Sequence, residues 1–166
     1  MGALVRTILA LVLVTALTAC EQLGIRPAPT APPVAAAPSP APPDPRLVEI
    51  DNRKDELLRK LAVCESGGSG ISDKAIYGGR GRIYNGRFQF TLRTLIAYVR
   101  QRDGVELNLK EAHDFAQDYE RAAALTKYMI FDLAEPWHWP LCRRKIAMDR
   151  DLREIRLLED RLAGRA

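Results

Sequence analysis

Glu65 is the residue of this chain whose setting could do acid chemistry, because it closes a stretch of helical spacing and is followed directly by Ser66-Gly67-Gly68. A glutamate in the last turn of a helix is held rigidly, and glycines beyond it let the chain fold away so that the carboxyl faces a cleft. Apolar neighbours such as Val63 would disfavour its charged form, and the partial negative charge at a helix C-terminus works in the same direction. A carboxylic acid that keeps its proton near neutral pH is what protonation of a glycosidic leaving oxygen requires. On spacing alone, a glutamate before two glycines is more often a surface carboxylate.

Hydrolytic glycosidases place a second carboxylate opposite the acid, about 5 to 5.5 Å away in retaining enzymes and farther in inverting ones. Asp73 is the only acid between Ser66 and Arg87 and is the candidate for that role, although a loop aspartate is more often a turn residue. Trp137, His138 and Trp139 offer aromatic faces of the kind that pack on pyranose rings. Core packing is the better reading for Trp139, and for Trp137 the two readings balance. Arg80, Arg82 and Arg87 could meet carboxylates of a substrate, solvated loop charges being the commoner use of such residues. His113 and His138 stand too far apart to suggest a metal site and read as surface histidines, and no metal or other cofactor is expected.

These residues need elements to position them, and the pattern is mainly helical. Asp51 or Asn52 can cap a first helix in which Leu57, Leu58 and Leu61 lie at helical spacing, and Gly67-Gly68 ends it just past Cys64-Glu65. Ser66 to Arg87, rich in glycine and polar residues, reads as a long loop with room for a short hairpin. Thr91 can cap a second helix carrying Leu92, Leu95, Ile96 and Val99, which Gly104 would end. Asn108 and Glu111 have the spacing of a capping box for a third. From Asp118 to Leu133 the pattern continues through Ala122, Leu125, Met129 and Ile130 until Pro136 interrupts it. Lys145 to Leu162 reads as a last amphipathic helix, with Met148, Leu152, Ile155, Leu158 and Leu162 along one stripe. Packing against the domain is the simpler use of that stripe, and docking of a protein partner is the other. The expected class is mainly α, within α+β.

The chain has 166 residues, room for one domain once its termini are discounted. Arg6 precedes a largely apolar run from Thr7 to Leu17, shorter than the roughly 20 residues of a spanning helix but suited to the core of a signal peptide. The run ends in Leu17-Thr18-Ala19-Cys20, which resembles the bacterial lipobox, and Cys20 would then carry the lipid. From Arg26 to Pro45 nearly every second or third residue is proline. At about 3.1 Å per residue such a linker could hold a domain on the order of 60 Å from a membrane. Residues 1–19 are thus expected to form the signal peptide, 20–45 the lipid anchor and linker, 46–145 the domain, and 146–166 the C-terminal helix.

The expected place is the cell envelope, lipid-anchored and facing periplasm or cell wall. Glu21 after Cys20 favours the outer membrane over the inner. The net charge of +4, less the Arg6 lost with the signal peptide, leaves a slight basic excess that suits anionic cell-wall polymers. Basic residues from Arg143 to Arg165 are interleaved with acids, so nucleic acid is not an expected partner. With Cys20 taken by lipid, Cys64 and Cys142 remain as an even pair in an oxidising compartment, which points to one disulfide.

Three ordered segments, Cys64-Glu65-Ser66-Gly67-Gly68, Tyr84-Asn85-Gly86-Arg87-Phe88-Gln89-Phe90 and Trp139-Pro140-Leu141-Cys142, resemble motifs of the resuscitation-promoting factors and their transglycosylase-like relatives. The resemblance spans Lys54 to Lys145 and leaves the last helix outside. It implies a small lysozyme-like fold, a bridge between Cys64 and Cys142, and cleavage of the β-1,4 bond between N-acetylmuramic acid and N-acetylglucosamine in peptidoglycan. Glu65 matches the family's catalytic acid, and Gln89, in the segment that begins at Tyr84, matches a glutamine lining the cleft. Phe88 replaces the usual leucine, Ser69-Gly70 replaces an aromatic residue, and the loop between Glu65 and Gln89 is longer than the family's. These departures bear on substrate subsites more than on the acid. Lytic transglycosylases dispense with a second carboxylate, and that route is favoured here. The alternative is a non-catalytic, lysozyme-like lipoprotein that grips glycan strands and tethers membrane to wall.

Overall fold

The first helix, α1, runs from Pro45 to Ser66. It starts ahead of both caps expected from the sequence, Asp51 and Asn52, because the Asp44 carboxylate accepts the Arg46 amide at 2.9 Å. Proline is well placed there: its backbone angle already suits a helix, and the amide it lacks would have had no helical partner. Pro45, the last proline of the expected linker, is therefore the first residue of the helix. At the other end Gly67 turns left-handed at φ 77°, and its amide closes on the Val63 carbonyl. The computed structural model describes residues 42–165. The expected signal peptide, Cys20 and most of the proline-rich stretch lie outside them.

The loop after α1 contains the short hairpin. Strands β1 (Tyr77–Gly78) and β2 (Tyr84–Asn85) pair antiparallel, with Tyr77 opposite Asn85 and Gly78 opposite Tyr84. A second bridge joins Asn85 to Phe90. The hairpin is fastened by side chains and backbone at once. Gln117 accepts the Ile76 amide at 2.8 Å and donates to the Ile76 carbonyl at 2.9 Å, while the Gly86 amide donates to the same carbonyl. Gly86, at φ 74°, lies so close to the next layer that a Cβ there would sit 1.7 Å from the Ala116 carbonyl oxygen.

Helix α2 (Leu92–Asp103) is capped by Thr91 and ended by Gly104, and α3 (Leu109–Gln117) carries the Asn108–Glu111 capping box, both as the spacing predicts. The pattern from Asp118 to Leu133 does not form one helix. Asp118, with extended backbone, ends α3 and caps α4 (Tyr119–Lys127) by accepting the Arg121 amide. Tyr128–Asp132 then widens into a turn of π-helix, followed by a 3-10 turn at Pro136–His138 and a short helix, α5, at Pro140–Lys145. The last helix, α6 (Met148–Leu162), begins after Lys145 because Ala147 adopts φ 52° and breaks it from α5.

The result is mainly helical with one small hairpin. Its core joins Leu57, Leu58 and Leu61 of α1 to Phe88, Leu95, Phe115, Leu125, Met129 and Trp139. Met148 and Ile155 of α6 are buried in the same core, so the apolar stripe of the last helix packs on the domain. Each such side chain contributes about 1.5 to 3 kcal/mol by leaving water. Pairs between α1 and α6, Lys54–Glu159 at 2.6 Å and Lys60–Asp151 at 3.1 Å, add little to that but fix the register of the two helices. Among the described residues no helix is long and apolar enough to cross a membrane.

Candidate active site

Glu65 stands on the buried face of α1. Leu61 and Leu58, one and two turns before it, are 0% and 2% exposed. The helix thus carries a carboxyl on the stripe that packs the core, at the point where the core gives way to solvent, and the side chain is half-buried. Burial raises its pKa above the ordinary glutamate value, and the positive charge of Lys145 opposes that rise. Val63 is not the cause: it is 49% exposed, and two residues along a helix place it on the far face. Leu61 and Ala62, fully buried, mark the side from which water is excluded.

Two constraints hold the helix end that presents Glu65. Cys64 is bridged to Cys142, with the Cα atoms 5.7 Å apart, which ties α1 to α5, the helix that carries Lys145. On the other side, Arg87 donates from Nε to the Gly70 carbonyl at 3.2 Å, and its guanidinium lies against Gly68. A Cβ on Gly68 would fall 2.6 Å from Arg87 Nη1, so the second glycine of the motif makes room for this side chain. Arg87 is therefore a pin for the turn after Glu65, a role that nothing local in the sequence signals.

The hairpin residues Gln89 and Tyr84 are brought together, but their side chains are engaged in the hairpin itself. Gln89, at φ 53°, donates from Nε2 to the Gly86 carbonyl at 2.8 Å, and its Oε1 occupies the space a Cβ on Gly78 would need. The Tyr84 ring lies against Gly79 and is 39% exposed. Asp73 sits in an exposed bend beside Ser72, whose hydroxyl donates to the Lys74 carbonyl at 2.8 Å. That is the setting of a turn aspartate. Among the described residues no three His, Cys, Asp or Glu side chains group as metal ligands do.

The aromatic cluster divides as its two tryptophans are placed. Trp139 is buried, meets Phe90 edge-on, and donates from Nε1 to the Phe88 carbonyl at 2.8 Å, which is a core role. Trp137 is 54% exposed and stacks on His138, with ring centroids 6.3 Å apart. A family of side chains distant in sequence stands behind it. Tyr98 of α2 bonds both Glu135 and His138 Nε2, the latter at 2.7 Å. A phenol has one proton; given to the Glu135 carboxylate, it leaves the Tyr98 oxygen to accept from His138 Nε2–H. Burial, and then Glu135, push the Tyr98 pKa up to about 12. Ala134, at φ 56°, and the π-helical turn before it deliver Glu135 to this contact. His113 is likewise engaged, bonding the Tyr77 hydroxyl at 2.9 Å beneath a ring that Arg82 covers.

No protein-family model, curated protein or solved structure matches this chain. Three features stand out, each held by its own contacts: a half-buried glutamate of raised pKa at a disulfide-braced helix end, a hairpin held against α3, and an exposed tryptophan backed by a hydrogen-bonded histidine.

Proposed function

We propose that residues 46–145 act as a lysozyme-like domain that cleaves the bond between N-acetylmuramic acid and N-acetylglucosamine in peptidoglycan, within a lipoprotein held to a membrane through Cys20. The observation that carries this reading is the position of Glu65 on the buried stripe of α1, where desolvation favours its protonated form. In the first step Glu65 gives its proton to the glycosidic oxygen as the bond from that oxygen to the muramic acid C1 breaks. The glutamate then takes the proton of the C6 hydroxyl while the C6 oxygen bonds to C1, closing a 1,6-anhydro ring and restoring the acid. Asp73, an exposed turn residue, is a poor second carboxylate, and this favours the one-carboxylate route over hydrolysis. Trp137 offers an open aromatic face to a sugar ring, while Gln89, folded back on Gly86, supports the reading only as part of the hairpin.

The test is digestion of purified peptidoglycan sacculi by the chain from Pro42 onward, beside its Glu65→Gln variant, with products identified by mass spectrometry. Anhydro-muropeptides from the parent and none from the variant are the expected result. Reducing-end products would make the protein a hydrolase. Saturable sacculus binding with no product at any pH would replace the enzyme by a glycan-binding tether.

A further inference from the structure

A concave surface lies away from Glu65. It runs between α6 and the segment from Ile130 to Pro136, encloses about 440 Å³, and has a floor formed by Ile130, Phe131, Pro136, Leu152 and Ile155. Its rim is charged, and the charges do not balance. Arg143 is paired with Asp149 at 2.8 Å, and Glu159 with Lys54 at 2.6 Å. Arg153 and Arg156 also line the groove, and among the described residues neither has a carboxylate within ion-pair distance. Both are exposed.

Glu65 does not line the groove. Lys145 of α5 acts on Glu65, whereas Arg143, two residues earlier and so on another face of the same helix, reaches α6. The surface exists because the chain continues past Lys145 and lays α6 along the π-helical turn. Core packing uses one side of α6, through Met148 and Ile155, and leaves the flank of Arg153 and Arg156 open.

We infer that this groove docks an acidic, amphipathic segment of a partner protein. Two guanidinium forks three residues apart on a helix stand roughly 5 to 6 Å apart at their bases, a spacing that suits two carboxylates one helical turn apart. An apolar side chain between those carboxylates would enter the floor. The chain's own N-terminal stretch is a poor occupant, since residues 20–41 contain a single acid, Glu21. An anionic membrane is a poorer one, because a flat surface cannot fill a groove and the rim also carries Asp149 and Glu159.

The experiment uses the full mature chain in detergent and a short fluorescent peptide of glutamate and leucine at helical spacing, read by anisotropy. Its lysine-leucine counterpart and vesicles containing phosphatidylglycerol serve as controls. Saturable binding of the acidic peptide is expected, weakened by salt and by at least about 10-fold in R153E/R156E, and unchanged in E65Q. Should the charge reversal disturb folding, R153Q/R156Q carries the same comparison. The inference is overturned by absent or non-saturable binding, by equal binding of the lysine peptide, or by an affinity the arginine variants leave intact. It is also overturned if the arginines matter for the vesicles and not for the peptide. Because E65Q is read in the same assay, failure here is distinct from failure of the glycan-cleavage reading.

Discussion

Glu65 follows Leu61 by one turn on the same face of α1, and Leu61 is fully buried. The carboxyl therefore inherits the low-dielectric side of the helix without being sealed in it. Under the proposed function, Glu65→Gln should lower the rate at which sacculi are digested by about 10² to 10⁴-fold, the range of a lost general acid. A group whose folded pKa is raised contributes stability that is present below its unfolded pKa and lost as pH rises. Glu65→Gln cannot ionise, so its melting temperature should fall less than the parent's as pH rises from about 4 to about 7. Parallel melting curves at the two pH values check the sign.

The bridge from Cys64 to Cys142 closes a loop with a sequence separation of 78. In the chain-entropy account its removal by Cys64→Ser with Cys142→Ser costs up to about 4.5 kcal/mol. Against the roughly 5 to 15 kcal/mol of a typical domain, that is from about a third to nearly all of the total. Denaturant titrations of parent and double variant should show the loss, and reductant should lower the parent's midpoint toward the variant's.

Tyr98 should resist ionisation. Its pKa is pushed up to about 12, so its phenolate absorbance should rise well after that of exposed tyrosines in an alkaline titration. The stabilising share of this shift is complete below pH 10 and is lost as pH climbs toward 12. Tyr98→Phe removes the link to Glu135 and His138 and should leave the melting temperature less dependent on pH in that window.

Gly86 meets the Ala116 carbonyl too closely for any side chain, and its φ of 74° is one that alanine adopts at a cost. Gly86→Ala should destabilise by about 3 kcal/mol or more, at the upper end for single substitutions, with loss of the hairpin seen first by hydrogen exchange.

The two tryptophans should part company. Trp139→Ala opens the core and should cost about 3 to 5 kcal/mol. Trp137→Ala, at an exposed site, should leave stability within about 0.5 kcal/mol and weaken sacculus binding. Equal sacculus binding by parent and Trp137→Ala would remove Trp137 from the substrate platform.

What could be read along the chain was what local rules govern. The caps at Thr91 and Asn108, the capping box with Glu111, the glycines that end α1 and α2, the hairpin after Glu65 and the stripe of α6 all follow from residues within a turn or two of one another. The start of α1 escaped because Pro45 belongs by composition to the proline run and by geometry to a helix. The break at Asp118 escaped because apolar spacing runs on across it, while the polar side chain caps the next helix.

Of the site, the sequence by itself marked Glu65, the cysteine pair and the tryptophans, since their types and neighbours advertise chemistry. Tertiary structure alone decided what surrounds them. Leu61 rather than Val63 lines the buried side of Glu65, Arg87 pins Gly68 across the intervening loop, and Gln89 turns back into the hairpin. Glu135 and His138 reach Tyr98 from some forty residues away, and Arg153 and Arg156, beside a groove with an apolar floor and a charged rim, have no carboxylate partner among the described residues. Such contacts depend on how helices cross, and helical periodicity states which face is apolar without stating what that face will meet.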